Sequence, residues 1–175
     1  MNKNKYSVVK ILFILGLFVW GIFGLVDIQN LAYINAVDLM IHEGGHFIFF
    51  FMPDFFRFFA GTMMQILIPN LFLFYFMGKR SFYSASVMLF WIAVNLFDVS
   101  IYIKDTRKME LPLLFQGAIH DWNHMLGRLN LLNFDQIIGN MVLIVGIIYF
   151  LLSLISGLYY SKNREENDCF NRESF

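Results

Sequence analysis

The sequence predicts an all-α fold, a polytopic membrane helical bundle of about five transmembrane helices plus a short interfacial helix. Three observations lead there. Of 175 residues, 58% are hydrophobic and 15% charged, whereas soluble domains run to about half apolar and a quarter charged. Mean hydropathy is +0.60, and the chain carries 22 Phe. Apolar runs of about 20 residues recur along it, the length needed to cross a hydrocarbon core of roughly 30 Å at roughly 1.5 Å per residue. The same composition excludes disorder. A net charge of zero gives no reason to expect a nucleic-acid partner. The single cysteine, Cys169, excludes an intrachain disulfide and a thiolate metal cluster. The implied partner is the lipid bilayer.

The elements follow in order. Residues 8–26 form the first span, behind a basic N-terminus carrying Lys3, Lys5 and Lys10. The run is long for a signal peptide and Asp27-Ile28-Gln29-Asn30 is no small-residue cleavage site, so it reads as a retained anchor. Residues 31–52 form the second span, closed by a turn at Pro53-Asp54, since Pro53 cannot continue a helix. The third covers 55–77, with a kink or break expected at Pro69. The fourth covers 82–103 and the fifth 137–160. Between these lies a mixed stretch, Lys104 to Gln136, with a short helix expected over 120–132. Residues 1–160 thus form one transmembrane domain, and the mixed-charge tail 161–175 is expected to fray. With an odd number of alternating spans, eight of the 13 Lys and Arg fall on the N-terminal side, which places the N-terminus in the cytoplasm.

His42-Glu43-Gly44-Gly45-His46 carries specific chemistry. On a helix, histidines at i and i+4 share a face, so both imidazoles can bind one metal at about 2.0–2.1 Å. Glu43 lies beside that face, as suits a general base acting on a metal-bound water. Gly44 and Gly45 remove bulk next to it. Asp38, four residues earlier, is placed to accept the second N–H of His42. Charged groups at membrane depth cost about 2.5–3.5 kcal/mol each, so this cluster in a Phe-, Ile- and Leu-rich segment points to a metal site. Asp98, in the fourth span, is the leading third ligand, because alternating spans would bring it to the depth of His46. His120, from the second i,i+4 pair His120/His124, is the rival; Asp105, Asp121 and His124 stand in reserve. Gln65, Asn70 and Asn95 read as helix–helix glue.

These residues resemble the site-2-protease type of intramembrane zinc metalloprotease. An H-E-x-x-H lies in a membrane segment, an apolar span follows, and a later core helix bears an acid, over roughly Leu31 to Ile103. The resemblance implies a Zn2+ site held by His42, His46 and Asp98, with Glu43 as the catalytic base and a membrane-protein substrate. Phe97-Asp98-Val99 departs from the family's Leu-Asp-Gly, and no proline precedes it near Asn95. The leading function is therefore a membrane-embedded zinc hydrolase, with substrate paired in extended form along Gly61 to Asn70. Two alternatives have other classes: an iron or haem redox protein using both histidine pairs, and a non-catalytic membrane factor with a relict metal site.

Overall fold

The computed structural model describes residues 6–111 and 119–162, and the tail beyond 162 lies outside them. The predicted all-α architecture stands. Among the described residues six α-helices follow one another: α1 (Val8–Val26), α2 (Ala32–Ile48), α3 (Asp54–Gly78), α4 (Phe82–Lys104), α5 (Asp121–Arg128) and α6 (Asp135–Tyr159). Four of them, α1, α3, α4 and α6, are long and apolar enough to cross a membrane.

The fifth expected span, α2, is the exception. It has 17 residues, so it extends about 25 Å, short of the roughly 30 Å hydrocarbon core. A 3₁₀ turn, Ile28–Leu31, leads into it, and Leu31 at its start packs among Phe90, Ala93, Val94 and Phe97 in the middle of α4. From there α2 is inclined toward the C-terminal end of α4. Asp38 is reached by Trp91, and His42 lies beside Tyr102. Polar side chains satisfy the backbone of the turn: the Trp20 indole donates to the Asn30 carbonyl (2.8 Å), and Asn35 donates to that of Ile28 (3.1 Å).

The consequence is that both ends of the described chain meet at one end of the bundle. Ser7 N–H donates to the Ser161 carbonyl (2.9 Å), and Tyr83 at the start of α4 donates to the Lys10 carbonyl (2.7 Å). An alternation of five full crossings would have put them on opposite sides. Apolarity alone did not distinguish a full crossing from a helix that starts halfway.

The core belongs to α4 and α6. Gly139, Gly146 and Ser153 recur every seven residues on α6 and let α4 approach closely. A Cβ at Gly146 would stand 2.9 Å from the Phe97 ring. Ser100 and Ser153 donate across the seam to the carbonyls of Gly139 (2.8 Å) and Ser86 (2.7 Å). α2 ends at Ile48 rather than Met52, because residues 49–52 make the reversal into Pro53 that lets α3 fold back along it. α3 continues as one helix through Pro69, so the proline does not break it, and Gly61 to Asn70 lies within it, so no extended segment is free there to pair with substrate. The short helix stops at Arg128, not Leu132, because Asn130 takes a left-handed conformation (φ 58°) and Leu131 N–H closes back on the Leu126 carbonyl (2.8 Å).

Candidate metal centre

The centre is built where α2, α3, the end of α4 and α5 meet, at the end of the bundle opposite Ser7 and Ser161. α2 and α3 approach backbone to backbone. A Cβ at Gly45 would stand 2.4 Å from the Ala60 carbonyl oxygen, so that position tolerates no side chain. Gly44 faces open space and plays no such part.

This contact turns His42 and His46 toward α3 and gives each Nδ1 an acceptor. His46 Nδ1 lies 2.8 Å from the carbonyl oxygen of Arg57, which can only accept. His42 Nδ1 lies 3.1 Å from Gln65 Oε1. Each Nδ1 thus has an acceptor for a proton, the anchoring that leaves Nε2 as the nitrogen a metal can claim in place of its own proton. The two Nε2 atoms converge on Asp121 Oδ2, at 2.9 Å from His42 and 3.2 Å from His46. Among the described residues, His42, His46 and Asp121 are the one group of three side chains of metal-binding type with donor atoms this close. Donors in a tetrahedral zinc shell stand roughly 3.3 Å apart, close to the 2.9 and 3.2 Å between Asp121 Oδ2 and the two nitrogens.

Gly61 keeps the space between the histidines clear. A Cβ on it would lie 2.4 Å from His42 Nε2 and 2.6 Å from His46 Nε2, in the volume a shared ion must occupy. The donor chemistry, the anchored Nδ1 atoms and this cleared space together fit a divalent metal.

Asp121 arrives on α5, which is fastened from several sides. His120 caps the helix, its Nδ1 accepting from Asn123 N–H (3.2 Å). Asn123 donates to the Thr106 carbonyl (2.8 Å), and the Trp122 indole donates to Thr62 on α3 (3.2 Å). The Tyr102 hydroxyl accepts from the backbone N–H of Asp121 at 3.2 Å and stands 3.5 Å from its Oδ2. Burial opposes ionisation of Asp121, but its bonds to His42 and His46 outweigh burial and hold the carboxyl below the ordinary carboxylate range.

The other expected donors lie elsewhere. Asp98 does not join the group: its Oδ2 accepts from Gln65 Nε2 at 2.9 Å. His120 does not join it either, because its Nδ1 serves as a helix cap, its ring packs on Tyr102 (4.2 Å between centroids), and its Nε2 faces Asp105 at 3.6 Å. Asp105 binds the backbone N–H groups of Glu110 and Leu111. His124 packs its ring against Phe58 (4.4 Å), so the four histidines do not converge on one iron or haem site. Asp38 accepts from Trp91 Nε1 (2.7 Å), not from His42, whose Nδ1 belongs to Gln65.

Glu43 lies on the exposed flank of α2 and, among the described residues, makes no hydrogen bond or ion pair. Tyr33, Met40 and Phe47 share that flank, with exposures of 67% or more. Gln65, Tyr102 and Gly61 are the residues whose part at the centre the sequence did not signal. No known protein family, curated protein or solved structure matches the chain.

Proposed function

We propose that the protein is a membrane-embedded, zinc-dependent hydrolase, an intramembrane metallopeptidase in which His42, His46 and Asp121 hold the ion and Glu43 is the catalytic base. One observation carries the proposal: two Nδ1-anchored histidines and a carboxylate from separate elements converge on a space that Gly61 leaves free, with an unengaged glutamate next in the chain. A zinc ion held there supplies a Lewis acid that brings the pKa of its water toward 7.

The chain's own groups then do the rest. Glu43 takes a proton from the attacking water as the C–O bond forms, and returns it to the leaving amine as the C–N bond breaks. Tyr102 and the α5 contacts keep Asp121 in place. The α2 flank bearing Glu43 is apolar and uncovered, so a substrate reaching it comes from the bilayer, which favours a segment of another membrane protein.

The placement in the membrane belongs to the same proposal. Four crossings with both ends of the described chain on one side assign eight of 13 Lys and Arg to that side by sequence order, again a cytoplasmic N-terminus. The metal centre then lies toward the opposite leaflet, whereas five alternating spans put it toward the cytoplasm.

Elemental analysis of detergent-purified protein tests the centre. About one zinc per chain is expected, lost in Asp121→Ala. Glu43→Gln should keep the zinc and lower hydrolysis of a membrane-protein substrate by about 10²–10⁴. Iron in place of zinc would move the function to redox chemistry, which two histidines and one carboxylate also suit. No metal in folded protein would end the hydrolase proposal.

A further inference from the structure

His42 is the candidate ligand whose tautomer is set by a side chain. His46 faces a carbonyl oxygen, which leaves no choice. Gln65 could turn either end of its amide to His42: with Oε1 facing Nδ1 a proton is held there, and Nε2, 2.9 Å from Asp121 Oδ2, is the nitrogen a metal can claim; with Nε2 facing it, Nδ1 must accept and the ring's proton is confined to the histidine's own Nε2, which blocks the metal. Asp98, across on α4, removes the choice. Its Oδ2 accepts from Gln65 Nε2 at 2.9 Å, which turns Oε1 toward His42 Nδ1 at 3.1 Å. Reversing the amide would set its oxygen against the Asp98 carboxylate, in a site where Gln65 is only 3% exposed.

We propose that Asp98 and Gln65 form a positioning pair, the acid directing the amide and the amide holding His42 in its metal-binding tautomer. The pair takes its purpose from the hydrolase assignment, but its geometry stands without a metal. It also accounts for a carboxyl at membrane depth that, among the described residues, no Lys or Arg accompanies. Asp98 touches neither metal nor substrate and acts through Gln65.

The test exchanges the two groups. In Asp98→Asn the pair becomes two amides and the direction is lost. In Asp98→Asn with Gln65→Glu, the new carboxylate accepts from both neighbours and the direction returns. The readouts are the 15N shifts of the His42 ring in metal-free protein, which report which nitrogen carries the proton, and zinc affinity by competition. The single variant should show His42 losing part of its Nδ1 proton and bind zinc about 10–100-fold more weakly; the double variant should recover both. An unchanged tautomer and affinity in Asp98→Asn overturns the proposal, as does a double variant that folds without recovering them. Should Asp98→Asn fail to fold, the double variant decides alone by the same two readouts. Wild-type protein with His42 protonated on Nδ1 that takes up no metal would instead end the hydrolase proposal and leave the pair standing.

Discussion

The two histidine pairs, His42/His46 and His120/His124, have the same i,i+4 spacing and different fates. In the first, both Nδ1 atoms meet acceptors, Gln65 Oε1 and the Arg57 carbonyl, and both Nε2 atoms converge on Asp121 Oδ2. In the second, His120 spends Nδ1 as an acceptor for Asn123 N–H, which puts its proton on Nε2, and His124 lies against Phe58. Spacing brings two rings to one face of a helix. What the rings can then bind is decided by the partners of their other nitrogens, and those come from other helices.

The largest expected effect breaks the first pair. His42→Ala should abolish zinc binding, whereas His124→Ala should leave one zinc per chain, both measured by elemental analysis on protein of unchanged helicity. Loss of zinc in His124→Ala would restore the second pair as ligands and remove the distinction.

Next comes the space between the first pair. Gly61→Ala puts a methyl group 2.4 Å and 2.6 Å from the two Nε2 atoms, so the rings must move apart or the metal is excluded. Overpacking of this kind costs about 1–3 kcal/mol, which a bundle can survive while its site does not. Gly44→Ala is the control, since nothing lies within 4 Å of its Cβ. Zinc affinity should fall in the first and hold in the second; equal affinity in both would show that the ion does not sit between the histidines.

This contrast also explains how much the sequence disclosed. Local regularities were legible. α1 spans the expected residues 8–26, α4 the expected 82–103 plus one, and His42, Glu43 and His46 share a helix by simple periodicity. The third partner was not, because matching His46 to Asp98 by depth assumed that α2 and α4 begin at the same membrane face. α2 instead starts beside Phe97, so its histidines arrive level with Tyr102, and the carboxylate within reach is Asp121 on α5. Asp98 remained close enough to matter only through Gln65. A residue's depth is a tertiary fact, and hydropathy measures length without measuring where a helix starts.

The smallest effect sharpens the role of the second pair. Burial holds the pKa of His120 below the ordinary histidine value, against the pull of Asp105 and Asp121. The folded protein therefore binds fewer protons here than the unfolded chain, so stability from this group is present above pH about 6.5 and declines as pH falls through that value. The structural reason is direct: a protonated His120 has no lone pair on Nδ1 with which to cap α5. Metal-free protein should thus loosen α5 as the pH falls below about 6.5, read as a change in Trp122 fluorescence with Trp20 and Trp91 replaced by Phe. His120→Asn keeps a capping side chain that does not titrate, and should remove this step while leaving the lower-pH loss that comes when Asp121 is protonated. His120→Ala should weaken α5 at every pH, by the roughly 0.5–2 kcal/mol of a lost cap. If His120→Asn keeps this step, the titrating group is another, and His120 is not what fastens the helix that carries Asp121.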